Sequence, residues 1–278
     1  TFPLYGQPVD LGEPLWDQLQ RRTVPLPTAK PARRRILPRE VNTALRIDEP
    51  ALLDQLFFSQ LRERKVPVKR VSSQVTRVTY QGEERWFQGI SSTRDRGSAT
   101  AVIRRADHAH RVLRFQGINR PGTRLKVNSH RLEETRRSSN SKWVMFSGRR
   151  LWPGREQLAP VAGRFLTPEI LNDYEWPMIQ RFVEGDLYRV IATPHAHLLV
   201  LSPHKGRHRD ITPAASLAVE AVQAIPHLSI ASVDVVVPRK SNAAPIVDGM
   251  SLNPTIHPDW WISAGSFDHV WDYLLTDH

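Results

Sequence analysis

Two charged residues stand in apolar surroundings, where their chemistry would count. Asp234 is the single acid in the run SVDVVV. A carboxylate buried there without a partner is costly, so it is either a ligand to a metal or other cation, or one half of a salt bridge. Arg189, in DLYRVIA, is either a clamp for an anionic substrate or an arginine with a carboxylate partner. His195 and His197 alternate within a strand and so share a face. That spacing suits zinc, and it equally suits two exposed loop histidines. His108 and His110 are two apart on a short helical stretch, so they do not share a face, and no third ligand accompanies them.

Other chemistries are excluded. The chain has no cysteine, which removes disulfide scaffolds, Cys-ligated zinc, iron–sulfur clusters and thiol catalysis. It contains no GxxxxGK followed by Ser or Thr, and no GxSxG, HExxH or GxGxxG, the usual nucleotide, hydrolase and zincin signatures. Of its 39 Lys+Arg, seven are Lys and 32 are Arg; with 28 Asp+Glu the formal charge is +11. Such a balance points either to acidic partners, nucleic acid among them, or to a solvated arginine-rich surface. The basic runs Arg33–Arg35 and 131–137 come with no RNP-like or helix-turn-helix pattern, so nucleic acid is a possibility that no motif supports.

These residues need a scaffold. With 278 residues and 40% apolar content the chain can build two or three subdomains. Residues 1–40, rich in Pro and Arg, read as an extended arm. A helix is predicted over 49–65, a hairpin turning at Gly82, a polar loop over 91–100 and a helix over 106–117 closed by Gly117. Residues 131–141 read as polar and exposed, WVMF (143–146) as a strand, and TPEILNDY (167–174) as a helix start. Three strands follow over 176–202, broken at Glu184-Gly185 and Pro194-His195. Next come a helix over 210–226 capped by Thr212 with Pro213 at its first turn, the buried strand of Asp234, a short strand APIVDGM, and a Ser-capped terminal helix over 266–275. The three tryptophans of the tail (Trp260, Trp261, Trp271) suit core, or a contact between copies of the chain. Hairpins mixed with helices favour an α+β class.

The succession IQRFVEGDLYRV, AVEAVQAIPHLSIASVDVVV, VDGMSLNPTIH resembles the C-terminal half of the ATP-grasp superfamily, in the texture of cyanophycin synthetase, glutathione synthetase and ribosomal-protein glutamate ligases. WFQGISSTRDRGSAT followed by ADHAHRVLRFQGINRPGTRL resembles the family's entry into its small lobe, so the resemblance covers roughly residues 75–278. It implies a two-lobed ATP-grasp-like fold with a reduced small lobe (101–165), a C-terminal lobe (166–278), and a small N-terminal α/β domain (41–100) behind the arm. It implies Mg-ATP, a carboxylate made into an acyl-phosphate, and an amine that attacks it.

Carried over residue by residue, the family pattern is only partly filled. Its first phosphate lysine falls at Arg104, Arg105 or Ala106, with Arg105 the nucleotide-binding candidate; its second falls at Phe146 or Ser147. Arginine binds phosphate through a planar fork, not as a point charge. In place of a glycine-rich lid stand Gly148 and Gly154, with Arg149, Arg150, Trp152 and Pro153 between them. The hinge acid, a second nucleotide contact, is Gln180. Arg189 fits the family's arginine, and Asp234 its first magnesium ligand. The Glu and Asn of the last motif fall on Gly249 and Ser251, and a shifted register would offer Asp248 and Asn253 instead.

The leading expectation is therefore a catalytically degenerate ATP-grasp-fold protein with no bound cofactor, acting as a structural or regulatory subunit that meets other protein subunits through its arm or pairs with its own copies. The first alternative is an active ATP-dependent carboxylate–amine ligase, with Mg-ATP as cofactor, using Arg105, Gln180, Arg189, Asp234, Asp248 and Asn253. The second is a basic nucleic-acid-binding protein. No apolar run reaches the roughly 18 residues that a membrane helix needs, and TFPLYGQPVDLGEP is unlike a signal peptide. The expected setting is the cytoplasm, or a virion or other large assembly.

Overall fold

The computed structural model describes residues 52–72, 75–92, 94–124, 126–137, 141–152, 158–174, 176–203, 210–239, 243–256 and 260–276. The arm predicted over residues 1–40 lies outside them. Helix α1 (Leu52–Glu63) precedes a four-stranded antiparallel sheet of β1 (Val68–Arg70), β2 (Thr76–Tyr80), β3 (Glu83–Gln88) and β4 (Ser91–Ser92). The β2–β3 turn places Gln81 and Gly82 at φ 52° and 84°, the positive values that a tight hairpin requires. Helices α2 (Gly97–Ile103) and α3 (Ala106–Phe115) follow. The polar stretch 91–100 is thus not wholly a loop, because its Gly97-Ser-Ala-Thr segment already winds into α2, burying Ala99 and Ile103. Gly117 closes α3 at φ 74°.

A second four-stranded sheet, in the order β5-β8-β6-β7, joins β5 (Thr123–Arg124), β6 (Lys142–Ser147), β7 (Val161–Ala162) and β8 (Pro177–Arg181). Strand alternation gives β6 two apolar faces: Trp143 and Met145 pack with Leu132 and Leu166, while Val144 and Phe146 join the main core. Of residues 131–141, expected to be polar and exposed, 131–137 belong to helix α4 (Ser129–Arg137), which is exposed at most of its positions while its Leu132 and Thr135 are fully buried. Its ring of charges hid a narrow apolar stripe. The 167–174 stretch forms a 3₁₀ turn, Pro168–Asp173.

The largest sheet has the order β12-β11-β9-β10-β13, from β9 (Gly185–Ala192), β10 (His197–Ser202), β11 (Ala231–Pro238), β12 (Ile246–Ser251) and β13 (Trp261–Gly265), all pairs antiparallel. Strand β13, read from sequence only as a tryptophan-rich tail, is an addition. On one face Tyr188, Val190, Val233 and Val235 pack under helix α5 (Thr212–Gln223) together with α2 and α3. On the other, Leu187, Ile191 and Val236 share a core with α1, the hairpin and the terminal helix α6 (Phe267–Leu275). Thr212 is the first residue of helix α5 and not its cap; Ile211 holds the cap position without a side-chain bond, and the Asp210 carboxylate accepts from the Thr212 amide at 2.9 Å. Ser266 caps α6, accepting from His269 N–H. Trp260 and Trp271 are both buried, the core reading of the tail.

The residues Phe182, Val183 and Glu184 alone connect β8 of the small sheet to β9 of the large one, so the two sheets face each other across a short hinge. Lys142 holds it by an ion pair with Glu184 at 2.6 Å. Gly185, at the start of β9, leaves no room for a Cβ against Val237.

Candidate functional site

Alternation along β9 and β11 sends Arg189 and Asp234 to one face of the large sheet, and register places them directly opposite each other. They meet as a bidentate pair: Arg189 Nε donates to Asp234 Oδ1 at 2.7 Å and Nη2 to Oδ2 at 2.8 Å. Arg189 Nη1 donates to the carbonyl of Thr255, and its guanidinium lies 4.7 Å over the ring of Trp260. Both residues are almost fully buried, at 2% and 5% exposure. An ion pair this deep holds only because the fork geometry satisfies both carboxylate oxygens. Of the two open readings of Asp234, the salt bridge is the one seen.

The pair forms part of the wall of a cavity of about 670 Å³. Its other walls come from the end of β6 and the loop after it (Ser147, Arg150, Leu151, Trp152), from Asp173 and Tyr174 ahead of β8, and from the end of β12 and the residues after it (Ser251, Asn253, Pro254). Three of the expected site residues, Arg189, Asp234 and Asn253, therefore do come together. Three do not. Arg105 turns to Asp107, with Nε and Nη2 at 3.1 and 2.9 Å from its carboxylate. Gln180 and Asp248 form a buried pair of their own, Nε2 donating to Oδ1 at 2.9 Å. None of these three lines the cavity. In the pairing of β11 with β12, Gly249 stands opposite Asp234, and Ser251 opposite Ser232. A β-bulge between Asp234 and Val235 lets Asp248 point elsewhere.

Sequence reasoning missed Arg150, Asp173 and Tyr174. Arg150 sits in a segment read only as a failed lid, and Asp173 and Tyr174 in one read only as a helix start. Their one signal was position, immediately flanking the two long strands of the small sheet.

The start of the β6–β7 loop, residues 148–152, is fastened by several contacts. The amides of Ala106 and Asp107 donate to Arg150 and Gly148 carbonyls at 2.9 and 3.0 Å, and Gly148 N–H donates to Trp176 O at 2.9 Å. Trp152 is buried, stacked on Phe146 with ring centroids 6.5 Å apart, and it lies 5.8 Å from His110. His110 is itself buried, and its Nε2 faces Arg120 Nη1 at 3.2 Å. Burial first, then the charges of Arg120 and Arg114, push the imidazole pKa down to about 3, so the ring is neutral.

The donor set does not suit magnesium. The cation needs an octahedral shell of oxygens with carboxylates among them. Of the two cavity carboxylates among the described residues, Asp234 already has both oxygens engaged by Arg189, and a glycine occupies the register position across from it. Among the described residues no group of three His, Cys, Asp or Glu side chains could hold a metal. This bears on zinc too, since His195 and His197 are exposed. Among the described residues no lysine lines the cavity, and Arg150 is its one cation besides the paired Arg189.

No protein-family model matches the sequence, and neither does any curated protein. Solved structures do match. A bifunctional glutathione synthetase from Pasteurella multocida aligns with 82% of this chain and 44% of its own, at 13% identity and a TM-score of 0.52. The D-alanine–D-alanine ligase from Coxiella burnetii aligns with 58% of this chain and 51% of its own, at 15% identity and TM-score 0.47. The ATP-grasp ligase PsnB, solved with minimal precursor, Mg and ADP, aligns with 58% of this chain and 53% of its own, at 14% identity and TM-score 0.46. The chain thus spans less than half the length of the glutathione synthetase it resembles. The resemblance is one of fold: an α+β, ATP-grasp-like arrangement. Among the described residues no helix is long and apolar enough to cross a membrane.

Proposed function

We propose that this ATP-grasp-like chain keeps its inter-sheet cavity as a binding site but does not carry out metal-assisted phosphoryl transfer, and that it works as a structural or regulatory subunit of a larger assembly. One observation carries the reading. The single carboxylate that the family pattern keeps, Asp234, is closed into a bidentate pair with Arg189, and Gly249 stands across from it. A hard cation would have to displace a buried guanidinium and find its remaining oxygens among Ser251, Asn253 and Asp173.

A second reading, an active ATP-dependent carboxylate–amine ligase, draws on a specific observation of its own. Arg189, Asp234 and Asn253 line one cavity together with Arg150, and the fold resembles that of solved glutathione synthetase and ATP-grasp ligase structures. Here Arg150 would face the phosphates and Arg189 the carboxylate undergoing activation, releasing Asp234. The readings part on turnover. With magnesium, ATP and pools of amino acids and short peptides, the first expects no ADP above a no-enzyme control. Steady ADP release that disappears in Asp234→Ala would establish the second.

A further inference from the structure

The outer rim of the cavity carries a second constellation, of which the ligase reading uses only Arg150. Lys126 and Trp176 are both in the left-handed region, at φ 51° and 58°. That region is uncommon for any side chain and a clear outlier for one as bulky as tryptophan; such departures persist only where the surroundings impose them, and they concentrate at functional sites. Here the fastening is visible on both sides: Val127 N–H donates to Pro177 O, and Gly148 N–H donates to Trp176 O, both at 2.9 Å. A Cβ on Gly148 would press Met178 Sδ at 2.7 Å and the Trp176 ring at 3.0 Å, so the chain approaches the indole as closely as glycine allows.

The strain holds two cations on one ring. Lys126 Nζ lies 4.6 Å and the Arg149 guanidinium 4.9 Å from the Trp176 ring centroid. The next residue, Arg150, faces the cavity mouth, and among the described residues no carboxylate pairs with it. Trp176 Nε1–H is buried with no acceptor among them. Beside this positive edge Leu151 is 48% exposed. Like charges gathered at a backbone cost and an open leucine together describe a surface complementary to carboxylates that alternate with apolar side chains.

We propose that Lys126, Arg149, Arg150 and Trp176 form a docking rim for an acidic segment of a partner protein, its carboxylates on the cations and a neighbouring apolar residue over Leu151 at the cavity mouth. Nucleic acid fits less well. Sequence-tolerant strand binding relies on an open aromatic platform for base stacking, and this ring is half-buried and carries two cations already. The proposal deepens the subunit reading by giving the partner its chemistry. It rests on that reading only for the biological role, since the rim and its occupant can be tested without any nucleotide.

The test is fluorescence anisotropy on the full chain with a short labelled peptide alternating Glu and Leu, at low and high salt. Its controls are a Lys-Leu peptide and a single-stranded oligothymidylate of equal charge. The Glu-Leu peptide should bind more tightly than either control and weaken as salt rises. Replacing Lys126, Arg149 and Arg150 together by Gln should cost at least about tenfold in affinity, from the few-fold that each exposed ion pair supplies. Because the triple variant removes cation–π contacts, Trp176→Phe serves as a second probe: it keeps an aromatic face under the cations while losing the pyrrole half of the indole, and should weaken the peptide by a smaller factor. Unchanged affinity in a folded triple variant, or oligothymidylate binding as tightly as the peptide, would overturn the proposal. Its failure would leave the nucleotide question untouched, since that is read by ADP release.

Discussion

The Arg189–Asp234 pair shows how much one contact decides. Removing one partner of a buried ion pair strands the other, which typically costs about 3–5 kcal/mol. Asp234→Ala should therefore destabilise the fold by about that amount, and so should Arg189→Met. The double substitution should cost clearly less than the sum, because no charge is left stranded. Denaturant melts of the four proteins give the coupling, and additive effects would contradict the pair as seen. His110 makes a separate prediction. Its pKa is about 3 in the fold against 6.5 as the ordinary value, so above pH 6.5 both states are neutral and stability is pH-independent. As pH falls from 6.5 towards 3 the unfolded chain binds a proton that the folded one refuses, and stability drops by up to about 1.4 kcal/mol per unit. His110→Gln should flatten that slope, which melts of both proteins at pH 7 and pH 5 would reveal.

At the level of elements, the hairpin sheet and the cavity are mechanically joined. Gly89, at φ 61°, follows β3, and a Cβ there would meet Leu252 O at 2.5 Å and Asn253 Oδ1 at 2.9 Å, while the next amide, Ile90 N–H, donates to Leu252 O. Gly89→Ala should cost about 2 kcal/mol from backbone strain alone. It should also shift Asn253, so that any cavity ligand binds more weakly than melting alone explains; a variant with native affinity would contradict that coupling. Several elements were readable from sequence because their signals are local. The β2–β3 turn at Gly82, the breaks at Glu184-Gly185 and Pro194-His195, and the Ser266 cap all declare themselves in a few residues. Others were hidden. Helix α4 shows only Leu132 and Thr135 on its buried side, among charges that read simply as polar and exposed. Strand β13 exists because β10 offers it an edge, a long-range fact without a local mark.

The same divide runs through the site. Arg189 and Asp234 stood out as charges in apolar strands, but their bond to each other depends on register between β9 and β11. Asp248 looked available until a β-bulge turned it to Gln180, and Arg105 until a carboxylate two residues on engaged it. For the molecule as a whole, an ATP-grasp-like α+β body encloses a cavity whose cations among the described residues are Arg150 and Arg189. The proposal that this cavity does not carry out metal-assisted phosphoryl transfer is tested at Asp234. The decisive measurement is calorimetric titration of the full chain with ATP, with and without magnesium, in wild type and Asp234→Ala. The account predicts that magnesium leaves the binding isotherm unchanged and that Asp234→Ala does not abolish any ATP binding observed. Micromolar binding that requires magnesium and vanishes with Asp234 would contradict it.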